Sequence, residues 1–250
     1  MVFIMKTSLY IAIVLFFFSG FSFSQNENKY GEVFKKRRPG IMRHYSGFRP
    51  YDEDSPIKFD RFNTDFFWNS WIGETNDVQT KFYAIGHNIN LMWDIPFGKS
   101  PVGMAIGLGY SHFNVRNNGE FSFISDPGGD YTLLSTYVGP KRWINRTVFN
   151  FVEIPFELRF RAKRERGKFK FYPGFKAGFM VENYIKWRID NQEFKEFNFP
   201  DLERLHFGPT LRLGVDNIML FGHFDLVPLF SNSNSSQLQL FAAGISIGWF

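Results

Sequence analysis

An eight-stranded antiparallel transmembrane β-barrel, all-β, closed and with a side-chain-filled lumen, is the fold class that the sequence predicts. Three observations carry this expectation. Residues 147–161 alternate strictly: Val148, Val152, Ile154, Phe156, Leu158 and Phe160 are apolar, whereas Glu153, Glu157, Arg159 and Arg161 fall between them, with Asn150 alone breaking the apolar set. Successive side chains of a strand point to opposite faces, so one face is greasy and the other charged. The composition is β-rich, with 34 Phe, 22 Gly and 20% aromatic residues in a chain of 250. Finally, eight such segments are joined by connections that alternate short and long, as in single-chain outer-membrane barrels.

Along the chain, residues 1–24 read as a signal peptide. Lys6 precedes an apolar run over 9–18, and Ser22 and Ser24 offer small residues for cleavage before Gln25. The run is about half the ~20 residues that a membrane-spanning helix needs. Met5 is the more natural start. Residues 25–58 form a periplasmic extension, and residues 59–250 form the barrel. Its staves are expected at 59–72, 81–95, 103–115, 147–161, 168–186, 204–215, 218–229 and 237–250. Connections at 97–101, 163–167 and 216–217 are short, whereas 115–146 and 186–203 are long. Short turns on the periplasmic side put both termini there and the long loops outside the cell. Pro155 and Pro173 fall inside staves, where each removes a ladder donor, and a bulge at each site would accommodate them.

The chain has no cysteine, which excludes disulfides, thiol nucleophiles, cysteine-ligated zinc and a lipid-modified cysteine after cleavage. A net charge of +5 with scattered bases argues against nucleic acid as a partner. No cofactor, metal motif or small-molecule substrate is indicated. Gly107-Leu108-Gly109 is not a phosphate loop, because no helix follows it. The Asn145 and Asn234 sequons carry little weight in a bacterial protein.

With lipid as the outer solvent, the inward face is where the charges find partners. The expected lumen network comprises Arg61, Asp65, Asp94, Glu153, Glu157, Arg159, Arg161, Lys170, Lys176, Glu182, Arg212 and Asp225. Eight strands enclose a lumen that side chains nearly fill, so these groups read as a charged plug. A solute path or proton relay through His206 and His223 is the alternative. Outside the barrel wall, Lys35, Lys36, Arg37 and Arg38 offer a docking site for an acidic partner or anionic lipid surface. His87 and His112 have outward parity on staves joined by a short turn, which brings them together at the outer leaflet as headgroup contacts. Ser111 points inward and cannot serve as a nucleophile beside them. The long loop 115–146 is aromatic, with Phe121, Phe123, Tyr131, Tyr137 and Trp143 around a turn at 126–130. Two strands continuing beyond the membrane, or a ligand-binding surface, both accommodate it.

The signal peptide, the eight staves, the segment Glu153-Ile154-Pro155 followed by Leu158 and Arg159, the glycines Gly174 and Gly178, and the final Phe250 resemble the PorT-like outer-membrane barrels of the Bacteroidetes, within the porin family. The resemblance covers most of 59–250. It implies insertion by the outer-membrane assembly machinery, which reads a terminal aromatic residue, and a link to type IX protein secretion. One departure stands out: Phe241, Ile245, Ile247 and Trp249 have parity opposite to Phe250. The sequence reading is thus a non-enzymatic structural or accessory subunit of a cell-envelope assembly in the outer membrane, with membrane lipid and other envelope proteins as partners. A surface-binding or adhesion barrel working through long loops is the alternative, and a lipid-modifying enzyme is the third. A soluble β-sandwich or lipocalin-like barrel would instead turn the apolar face inward.

Overall fold

The structure, a computed structural model, describes residues 60–73, 78–97, 100–127, 129–164, 167–197, 199 and 201–249. The signal segment, the 25–58 extension with its four bases, and Phe250 lie outside the described residues. The described residues form eleven strands: β1 (Phe62–Ile72), β2 (Ile85–Pro96), β3 (Val102–Arg116), β4 (Gly119–Asp126), β5 (Gly129–Thr136), β6 (Ile144–Arg164), β7 (Gly167–Ile189), β8 (Gln192–Glu196), β9 (Leu205–Val215), β10 (Ile218–Phe224) and β11 (Gln239–Trp249). Eight of them follow the order β6-β3-β2-β1-β11-β10-β9-β7, and β7 pairs back onto β6. Every neighbouring pair is antiparallel, so the sheet is a closed eight-stranded barrel without a free edge.

All three short connections, and the ends of β1 and β11 where Phe62 pairs Trp249, fall at one end of the barrel. Four longer connections, over 73–84, 117–143, 190–204 and 225–238, fall at the other. The aromatic loop holds a separate two-stranded sheet, β4–β5, turning at Asp126 and Gly129; it does not simply continue the neighbouring staves. β8 pairs antiparallel with Ile185–Ile189 at the loop end of β7, outside the eight-strand ring.

Alternation is visible in burial. On β6, Val152 is 48% and Ile154 53% exposed, while Glu157 and Arg159 between the outward residues are 0% exposed. β11 obeys the same rule, with Phe241, Ile245, Ile247 and Trp249 opposite the buried Leu240, Ala242 and Ser246. Neither proline is accommodated by a bulge. The β3–β6 register is unchanged on both sides of Pro155, and the β6–β7 register is unchanged on both sides of Pro173. The ladder merely skips pairs there, which removes the need for the missing N–H. The actual bulge lies elsewhere: Asn150 faces Glu182 while Phe151 faces Met180, leaving Val181 as an extra residue in β7.

Small residues make room for long ones across the narrow interior. Glu153 stands between Gly109 on β3 and Gly178 on β7, and Glu157 stands between Ala105 and Gly174. A Cβ at Gly109 would sit 2.2 Å from Asn90 Oδ1, and one at Gly178 would sit 3.0 Å from Glu153 Cγ. The glycines therefore set where the charged side chains lie.

Candidate functional site

The interior is divided along the barrel axis. Toward the short turns it is ionic. Arg212 holds Asp65 at 2.5 Å, ion-pairs with Glu157, and donates to Ser246 Oγ at 3.2 Å. Glu157 is shared with Arg159 at 2.9 Å, and Arg159 reaches Asp94 at 2.8 Å. Arg161 also pairs with Asp94, and its Nε donates to the Tyr172 hydroxyl at 2.8 Å. That hydroxyl donates in turn to Asp60 at 2.6 Å, and Lys170 Nζ pairs with the other Asp60 oxygen at 2.6 Å. Each carboxylate thus meets at least one base in a buried interior, where an unpaired charge would cost several kcal/mol.

A second ionic unit lies further along the axis. Lys176 pairs with Glu153 at 2.7 Å, and Ser111 Oγ donates to Glu153 at 2.6 Å. Beside it, His223 Nε2 lies 2.8 Å from Asp225 Oδ1, and His206 Nδ1 lies 3.4 Å from Asp225 Oδ2. Lys176 also stands 5.2 Å from the ring of Phe113. That ring begins the other half.

Toward the long loops the interior is aromatic rather than charged. Phe67, Trp71, Phe113, Phe149, Phe151 and Phe221 line the wall, and Leu134, Leu229, Phe230 and Leu238 from the loops close over them. Phe121 of β4 meets Trp71 edge-on at 5.7 Å, Phe199 at 5.4 Å and Phe230 at 5.8 Å. Polar contacts fasten this cover. Thr132 of β5 donates its hydroxyl to Asp201 Oδ1 and its N–H to Ser235 Oγ at 3.0 Å, and Ser231 N–H donates to the Asp201 carbonyl at 2.8 Å. Three long loops therefore interlock into one cap. The expectation of a charged plug is corrected in part: toward the loops the filling is apolar, because the inward positions of β1 and β6 switch from charged to aromatic side chains and those of β3 from small residues to Phe113 and Val115.

Two residues expected in the lumen lie elsewhere. Glu182 is exposed on the outer face, because the extra residue Val181 inverts the alternation of β7 beyond Met180. Arg61 is exposed just ahead of β1, which begins at Phe62. Asp60, not anticipated, takes the place next to Lys170 and Tyr172. Asp60 falls in the expected stave 59–72 with parity opposite to that of Asp65, but it precedes the observed strand, so the alternation does not apply to it.

His87 and His112 are cross-strand partners with ring centroids 5.0 Å apart. The His112 Nδ1 lies 2.7 Å from Asn150 Oδ1, and Asn150 Nδ2 donates to Glu182 at 2.7 Å. His112, Asn150 and Glu182 form a hydrogen-bonded row across β3, β6 and β7, with the His87 ring beside it on β2. Ser111 is buried on the opposite face. Among the described residues, no group of three or more His, Cys, Asp or Glu is arranged to hold a metal ion, and no helix is long and apolar enough to cross a membrane. Comparison with protein-family models, with curated proteins and with solved structures gave no match to this chain.

Proposed function

We propose that the chain is an outer-membrane β-barrel whose wall meets lipid, and that it works as a closed, non-enzymatic accessory subunit of a cell-envelope assembly. The observation that carries the reading is the inverted polarity of the barrel. A water-soluble barrel hides its apolar face, whereas here Phe66, Ile89, Leu91, Ile106, Phe175 and Leu220 are exposed on the outer wall and the charges are inside. In lipid such a band is the stable arrangement, and closure satisfies every strand edge. Short turns and both barrel termini would face the periplasm and the capped end the outside.

A filled lumen supports anchoring or docking rather than transport. The resemblance to PorT-like barrels extends the proposal to protein secretion of the type IX kind, with partners met through the periplasmic extension or the cap. A surface-binding role is the second reading, favoured by apolar residues standing out from the loops, with Val138 93% and Trp143 66% exposed. Fractionation and planar-bilayer recording test the main reading together. The full chain is expected in outer membranes, with heat-modifiable gel mobility and no discrete openings. Recovery as a soluble periplasmic monomer would overturn the membrane assignment, and long-lived channel openings would overturn the closed lumen.

A further inference from the structure

The cross-strand registers place four cations side by side on the outer wall. Arg116 of β3 faces Arg146 of β6, Arg146 faces Lys186 of β7, and Lys186 faces Lys195 of β8. Like charges directly opposite one another destabilise a sheet, so a row of four calls for anions. The protein supplies one in part: Glu193 pairs with Lys186 and, at 2.9 Å, with Arg188. Among the described residues Arg116 and Arg146 have no such acid, and the Nε of each is buried without a hydrogen-bond partner there. Aromatic rings brace the row, with the Arg116 guanidinium 5.3 Å from the Tyr83 ring and Lys195 Nζ 3.8 Å from the Tyr184 ring.

The same three strands carry two further tiers. Four residues along each of β3, β6 and β7 from Arg116, Arg146 and Lys186 come His112, Asn150 and Glu182, joined by hydrogen bonds. Beyond these, toward the short turns, come Tyr110, Val152 and Phe179, all exposed and apolar. At about 3.3 Å per residue the cations stand ~13 Å along the strands from the hydrogen-bonding tier. We propose that this face is the seat of a phosphorylated glycolipid, with acyl chains on the apolar tier, sugar hydroxyls on the His–Asn–Glu tier and phosphates on the basic row. The occupant follows from complementarity tier by tier; a lipid with a phosphate at its glycerol would leave the basic row out of reach. The inference rests on the membrane reading proposed above.

The test uses the full chain in mild detergent, titrated in native mass spectrometry with short-chain lipopolysaccharide and with the same lipid after phosphatase treatment. Each basic side chain near a charged membrane surface contributes about fivefold in affinity. Arg116→Gln with Arg146→Gln is therefore expected to lower the preference for the phosphorylated lipid about 25-fold and to leave heat-modifiable mobility unchanged. Lys186→Gln with Lys195→Gln, the latter at an exposed position, gives the same readout if the arginine pair fails to fold. Undiminished preference in a folded variant overturns the proposal. Displacement of the lipid by inositol hexakisphosphate at equal concentration would also overturn it, by showing a site for a soluble polyanion. Loss of heat-modifiable mobility in the wild type would remove the membrane reading and this inference together, whereas a missing preference in an intact barrel removes this inference alone.

Discussion

Arg212→Ala is expected to destabilise the barrel by about 3–5 kcal/mol, the range for removing one partner from a buried ionic group. Arg212 alone ties Asp65 of β1 to Glu157 of β6 across the interior. Without it, Glu157 keeps Arg159, but among the described residues Asp65 keeps only a 3.5 Å contact from Asn90 Nδ2. The buried Asp65 carboxylate is then uncompensated. Urea titration of the barrel refolded into vesicles, read by heat-modifiable gel mobility, measures the loss. Combining Arg212→Met with Asp65→Asn should recover most of it, because the stranded charge is gone. Failure of the double variant to recover would mean that Arg212 acts through its packing instead.

Phe113→Ala should cost a similar amount, about 3–5 kcal/mol, for a different reason. Its ring meets Phe67 at 5.1 Å, Phe151 at 5.6 Å and His223 at 6.4 Å, and Lys176 stacks on it. Truncation opens a cavity where the aromatic half meets the ionic half. The neighbours are held by the barrel wall and cannot collapse into it. Phe113→Leu should recover more than half of the loss in the same urea assay, since it restores most of the volume. Equal losses for Ala and Leu would place the effect in the Lys176–ring contact and not in packing.

The staves were legible because the barrel wall separates two environments, and a period of two reports that separation residue by residue. β6 is the clearest case: Val152 to Phe160 alternate in sequence as they alternate in burial. Legibility fails wherever alternation is broken or absent. Glu182 was misplaced because a single bulge at Val181 inverts everything beyond it, and nothing in the residue type of Val181 announces a bulge. Asp60 stands ahead of β1, Asp201 stands in a connection without a period, and Thr132 lies on β5, a strand inside a connection that the barrel alternation does not reach. The aromatic half was hidden for another reason. Phe113 and Phe151 share the inward parity of Ser111 and Glu153, and only the loops that cover them reveal that this end of the lumen is closed by an apolar cluster. The basic row depends on registers across four strands, which no single segment encodes.

Site-directed labelling along β6 tests the central claim most directly. The chain has no cysteine, so single cysteines at positions 152–160 can each carry a fluorophore in vesicles containing brominated lipid. The account predicts a period of two. Labels replacing Val152, Ile154, Phe156, Leu158 and Phe160 should be quenched by the lipid, and labels replacing Glu153, Glu157 and Arg159 should be shielded from it, wherever the variant folds. Quenching of the Val152–Phe160 set by a water-soluble agent instead of by lipid, or quenching without any alternation, would contradict a barrel that faces lipid with its apolar wall.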